Sequence, residues 1–195
     1  MPLHSVRFAL TAVLIAIAAG CTALPAPAPS QFLDERTGVT LSVVDAPLVL
    51  ARERRDIAAN ARDYLTLVAA ERDLAGKRQL ILLVHRWSTI DTRVGASDDD
   101  DSTRLTLLAD GRDIRLAQVT DKLPVEFSQD ERLLRPPVDK VVTLAYPTDI
   151  ATLRYLVSSR QLSASFDAAK ATLPYTMWRD GRESLRQLLD SVAPN

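Results

Sequence analysis

The sequence predicts a mainly β domain, either sandwich-like or an α+β antiparallel sheet, with two short amphipathic helices in its C-terminal half. Three observations carry this expectation. Several short segments alternate apolar and polar residues at the period of two that a half-buried strand requires. Asp110-Gly111 stands between two such segments, where a tight primed turn takes positive φ angles. Two later stretches, after Pro147 and from Asp180, place apolar residues at helical spacing.

In chain order, residues 37–44 (TGVTLSVV) put Val39, Leu41 and Val43 on one face and Thr40 and Ser42 on the other. Pro47 interrupts, and an extended run resumes at Leu48 to Ala51. Leu80 to Val84 (LILLV) is apolar on both faces, the pattern of a central strand covered on both sides. Residues 104–108 and 113–119 flank the Asp-Gly turn as a hairpin, and 138–146 and 162–166 complete the strands. The first helix spans 148–158, capped by Thr148 or Asp149, with Ile150, Leu153, Leu156 and Val157 on one stripe. The second spans 180–192. There Asp180 and Glu183 form a capping-box-like pair, and Leu185, Leu188, Leu189 and Val192 form the buried stripe.

Residues 51–75 admit two readings. Ile57, Ala61, Tyr64, Leu65 and Val68 fall at helical spacing in an Ala-, Arg- and Glu-rich stretch. Residues 63–72 and 78–88 also flank a turn containing Gly76, as two long paired strands would. The stretch PLVLARERRDIAANARDYLTL, with Trp87-Ser88-Thr89 after it, resembles a group of small envelope lipoproteins of Gram-negative bacteria. Their counterpart segment is rich in Tyr, Val and Ile, which favours the strands. That resemblance runs from Phe32 to the C-terminus and implies no catalytic residues.

Composition narrows the function classes. The 195 residues include 24 Lys+Arg against 25 Asp+Glu, which argues against a nucleic-acid binder and the basic excess it needs to neutralise phosphates. One cysteine rules out a disulfide framework within the chain and a Cys-only zinc site. With 5% aromatics, the core must be built from Leu, Val and Ala.

The N-terminus carries an address. A short head containing Arg7 precedes an unbroken run from Phe8 to Ala19, apolar except for Thr11 and too short to span ~30 Å of hydrocarbon. It ends Ala18-Ala19-Gly20-Cys21, which resembles the lipobox of bacterial lipoproteins, with Ala18 where Leu is commonest. The resemblance implies cleavage between Gly20 and Cys21 and acylation of Cys21, so residues 1–20 read as a cleaved signal. Plain secretion is the alternative. Thr22 stands where inner-membrane-retained lipoproteins carry Asp, which implies the periplasmic face of the outer membrane. Residues 21–31 then form a Pro/Ala tether and 32–195 a single globular domain. Cleavage leaves 175 residues with two more acidic than basic side chains, too little charge to drive the domain onto anionic lipid.

Candidate chemistry in the mature chain is sparse. His85 is its only histidine; Ser88 and Asp91 lie near it in sequence, but on a strand Ser88 points away from the face that His85 shares with Trp87. A core or strand-edge histidine is the expectation. Asp98 to Asp101 lack the alternation, the turn glycine and the later glutamate of an EF-hand, and read as a solvated loop. Arg52, Glu53, Arg54 and Arg55 could meet phosphates or carboxylates, but Glu53, Asp56 and Asp63 dilute the cluster toward a solvated face. Trp87, Tyr175 and Trp178 either serve packing or line a saccharide or peptide groove. Acid pairs such as Glu71 with Asp91 can be nominated without any spacing that selects them. The sequence therefore reads as a non-catalytic binding or scaffolding module of the cell envelope. It needs no cofactor or metal, and its partners are the membrane through Cys21 and an envelope protein or polymer. An envelope hydrolase using acidic residues and a carrier of an apolar ligand are the alternatives.

Overall fold

A long hairpin organises the sheet. In the computed structural model, which describes residues 28–90, 104–118, 123–127, 131–166 and 173–193, β4 (Arg62–Leu74) pairs with β5 (Lys77–Ser88) along its whole length, from Asp63 opposite Ser88 to Leu74 opposite Lys77. The two-residue turn places Ala75 at φ 51° and Gly76 at φ 82°, and the Asp73 carboxylate accepts the Gly76 N–H at 2.8 Å. This settles residues 62–74 as strand, while residues 54–61 form turns. Helix propensity at 62–74 is outweighed because both faces of β4 are covered, so Tyr64, Leu65, Leu67 and Val68 are all buried.

One edge of β4 serves two strands. β2 (Val39–Val43) pairs with residues 70–73 and β3 (Leu48–Glu53) with residues 62–67. Four residues, Val44 to Pro47, lie opposite only Val68 and Ala69, so the partner strand is broken by a two-residue excess. β1 (Ser30–Asp34) adds to β2. From β3 the sheet continues through β10 (Tyr175–Arg179), β9 (Leu162–Phe166) and β6 (Leu105–Ala109) to β7 (Arg112–Leu116). On the far side β8 (Val142–Thr148) pairs with β5. Every pairing is antiparallel, the ten strands of the described residues form one sheet, and it curls until β7 comes back into contact with β8.

Register assigns the faces. Leu50, Leu65, Val84, Leu144, Ala164 and Leu107 share the concave face and are buried in the main core. Two helices close its β2 end: α1 (Ile150–Ser158), which buries Leu153 and Leu156, and α2 (Arg182–Val192), which buries Leu185, Leu188, Leu189 and Val192. Asp149 caps α1 by accepting the Thr152 N–H at 2.7 Å, as the sequence suggests. On the convex face, the segment with 3-10 turns at Val125–Phe127 and Glu131–Leu133 lies over β4 and β5, held by an Arg72–Glu126 ion pair and by His85. Among the described residues no helix is long and apolar enough to cross a membrane.

Several boundaries differ from expectation. β1 begins at Ser30, inside the segment assigned to the tether, and both β1 and β10 were without a predicted strand. The expected 138–146 strand occupies Val142–Thr148, and the second hairpin strand ends at Leu116. The Asp-Gly turn forms as read, with Asp110 at φ 45° and Gly111 at φ 83°; the Asp110 carboxylate also accepts the Gln161 N–H at 2.8 Å. The capping box at 180–183 does not form. The N-cap is Gly181, without a side-chain cap, while Asp180 accepts the Arg182 N–H and Glu183 pairs with Arg186.

The physical reason for a glycine cap lies at the broken strand. A Cβ on Gly181 would stand 2.4 Å from the Pro47 carbonyl oxygen, so only glycine lets α2 start here. One turn on, the Ser184 hydroxyl accepts the N–H groups of Asp45 (2.8 Å) and Ala46 (2.9 Å), which the break strips of ladder partners. Ser184→Ala therefore costs about 1–3 kcal/mol in urea unfolding, because two donors lose their acceptor. Gly181→Ala costs about 2 kcal/mol or more, reversing the usual advantage of alanine in helices.

Candidate functional site

On the convex face beyond the 3-10 segment, three strands assemble a ledge of aromatic rings. Tyr64 on β4 lies directly opposite Trp87 on β5, and the two rings stack at 4.2 Å with a 12° interplanar angle. The Trp87 indole N–H donates to the Thr66 hydroxyl at 3.0 Å, two residues along β4 on the same face, which fixes the ring. Trp178 comes from β10. Met177 pairs with Leu50 and Arg179 with Val49, so Trp178 is the extra residue of a bulge. Its ring meets Tyr64 edge-on at 6.0 Å and 81°. Val49 and Ala51 form the floor, small enough to admit the rings.

Charge around the ledge is consumed in pairs. The Arg62 guanidinium lies 4.9 Å over the Trp178 ring and pairs with Glu53 at 3.7 Å; Glu53 also accepts from Arg55 at 2.7 Å. The Arg55 hydrogen bond holds the Glu53 carboxyl below its ordinary range, and Arg54 does the same for Asp56. Trp178 nonetheless keeps 57% of its surface exposed, which leaves much of a large ring open to a partner.

The expected trio is thus brought together only in part. Trp87 and Trp178 are joined through Tyr64, the ring between them. Tyr175 lies on the concave face, because strand alternation turns it away from Trp178, and it is buried beneath the Arg52 guanidinium at 4.6 Å. The basic cluster needs a correction too. Arg52 is buried on that concave face and donates to Asp63 at 2.8 Å, and Arg54 reaches the same carboxylate at 3.1 Å. Only Glu53 and Arg55 fit a solvated face.

His85 lies in the core beneath the 3-10 segment. Its Nε2 stands 3.1 Å from the Leu133 carbonyl oxygen and its Nδ1 2.9 Å from the Thr143 hydroxyl. A carbonyl can only accept, so Nε2 carries the hydrogen and Nδ1 accepts from Thr143. Ser88 donates to the Arg62 carbonyl instead, and Asp91 and Asp98 to Asp101 lie outside the described residues, as do Gly20 and Cys21. Glu71 is buried and tied to Arg78. Among the described residues no three His, Cys, Asp or Glu side chains gather as a metal site.

A second feature had no signal in the sequence, because five elements build it. At the opposite end of the β4–β5 hairpin an open cleft of about 490 Å³ is walled by Leu80, Ile81, Pro147 and Ile150, with the Arg78–Glu71 pair at its side. The Thr148 hydroxyl borders it and is buried without a hydrogen-bond partner.

Burial lowers the His85 pKa below its ordinary 6.5, opposed by the bond to Leu133 and reinforced by Arg135. The unfolded chain then binds more protons than the folded one below pH 6.5, so stability is full above that pH and falls as the medium is acidified. Melting temperature should drop between pH 7 and pH 5, ahead of the carboxylate range, and His85→Gln should flatten that slope. Comparison of the chain with protein-family models, with curated proteins and with solved structures yields no match, so geometry and chemistry carry the functional reading.

Proposed function

We propose that this chain is an envelope lipoprotein, held by acyl chains on Cys21 at the periplasmic face of the outer membrane, and that it acts without catalysis as a binding or scaffolding module. The observation that carries the binding role is the ledge of Tyr64, Trp87 and Trp178, an aromatic surface on a rigid sheet with a large ring left open. The lipobox-like Ala18-Ala19-Gly20-Cys21 and the proline-rich residues after it support the anchor. Several acyl chains at ~0.8 kcal/mol per buried methylene hold a protein on a bilayer durably.

The candidate acids and base of a hydrolase support that alternative poorly. Glu71 is engaged by Arg78 and His85 is buried with both ring nitrogens occupied. The cleft beside Leu80 and Ile150 supports a second reading, a carrier of a small apolar ligand, on the strength of its walls and the idle Thr148 hydroxyl.

Cys21→Ser should abolish incorporation of labelled palmitate and move the protein from the membrane to the soluble fraction, with the melting temperature of the domain unchanged. Labelling that persists in the variant overturns the anchor.

A further inference from the structure

The ledge continues across the sheet. Register places Trp87, Tyr64, Ala51, Thr176, Ser163 and Leu108 each opposite the next, on β5, β4, β3, β10, β9 and β6, so all of them share the convex face. Five strand spacings make this row about 24 Å long, measured along the curved face. Its near half carries the rings, with Trp178 standing two residues beyond Thr176 on the same face of β10. Over its far half opens a groove of about 510 Å³, lined by Leu108, Ser163, Thr176 and Pro174 and rimmed by Arg160 and Arg182. That volume lies within the range of small-molecule sites.

The chemistry changes along the row. Trp178 and Leu108 are 57% and 41% exposed, so apolar surface is open in both halves. Between them, the Ser163 and Thr176 hydroxyls make no hydrogen bond to another described residue and border the groove with donor and acceptor capacity unspent. The Arg182 guanidinium is taken by Asp180 and by the Ser159 carbonyl. The Arg160 guanidinium is in no ion pair among the described residues, and the neighbouring Asp110 carboxylate is turned onto the Arg160 and Gln161 backbone N–H groups. A pyranose presents C–H groups on its faces and hydroxyls on its edges. Rings, hydroxyls and a guanidinium in line are therefore the groups that a saccharide chain bearing acids would meet. The strand spacing of about 4.8 Å is also close to the advance of one pyranose along an extended chain. An extended peptide fits less well, because on a sheet face the backbone groups of the strands are spent on one another and offer it no ladder to join.

We propose that the ledge and the groove form one site for a linear glycan that carries carboxylates, laid across the strands from Trp87 to Leu108. A sugar face stacks on Trp178, the Ser163 and Thr176 hydroxyls exchange hydrogen bonds with sugar edges, and Arg160 meets a carboxylate. The inference rests on the binding role proposed above for the ledge and names its occupant.

The test is calorimetric titration of the full-length protein in a detergent without a sugar headgroup. The probes are peptidoglycan glycan chains of two and of six sugars stripped of their stem peptides, which leaves a carboxylate on every second sugar, together with a neutral N-acetylglucosamine hexamer and the free stem peptide. The six-sugar chain should bind about tenfold or more tighter than the two-sugar chain, which covers less than half of the row. Trp178→Ala and Thr176→Leu, both at exposed positions, should each remove most of that length advantage with the melting temperature unchanged. Arg160→Gln should weaken the carboxylated chain about threefold more than the neutral hexamer. Equal affinity for short and long chains confines binding to the ledge, which overturns the extended site and leaves the ledge standing. Binding of the stem peptide in place of the glycans assigns the ledge to a peptide and likewise overturns this proposal alone. Silence toward every probe overturns the proposal and the binding role of the ledge together.

Discussion

The shape of this protein depends on a break in one strand. β4 is thirteen residues long, and its outer edge is paired by β2 and β3, which are two halves of one interrupted partner. The excess at Val44 to Pro47 frees β3 to turn away with β10, β9, β6 and β7 into a curl, while β2 and β1 stay with the far half of β4. Such a break leaves backbone donors without a ladder. The Ser184 hydroxyl takes two of them, and Gly181 lets the helix approach closely enough to deliver it. α2 follows β10 directly, so the same contact fixes where Trp178 stands. Strand break, helix position and aromatic ledge are one coupled arrangement.

Charge is managed along the same hairpin. At the Tyr64 end the concave face carries Arg52 and Asp63, a buried pair whose desolvation is offset by the second guanidinium of Arg54. At the other end the buried Glu71 is met by Arg78. On the convex face Glu126 pairs with Arg72, and His85 stays neutral between a hydroxyl and a carbonyl. Nearly every charge near the core is committed to a partner within the fold. The buried charges are thus met within the fold.

Much of this was legible in the sequence where local chemistry decides alone. Asp110-Gly111 fixed its hairpin because both residues tolerate positive φ, and Asp149 marked the start of α1 because its carboxylate reaches the Thr152 N–H. The stripes of both helices were legible from spacing. Residues 62–74 were legible as strand only through the resemblance and the Gly76 turn, because Ala, Arg and Glu favour a helix, whereas pairing on both edges and burial on both faces were long-range facts. The capping box at 180–183 failed for a related reason: proximity to the Pro47 backbone, invisible locally, selects Gly181 as the cap. At the site, Trp87 and Trp178 were legible as aromatic candidates for packing or a groove. The role of Tyr64 was hidden in the helix-like segment, and the exclusion of Tyr175 follows from β10 being a strand, which its short run, Tyr175 to Arg179, signals only weakly.

The two ends of the β4–β5 hairpin are chemically unlike, and the hairpin makes that difference functional. Seven strand residues at about 3.3 Å each, from Tyr64 to Glu71 opposite Leu80, separate the ledge from the cleft by roughly 23 Å. A strand paired along both edges is stiff, so a surface seated on one end sets the direction of the other. The cleft, with its idle hydroxyl and apolar walls, is the part of the described structure placed to meet a small ligand.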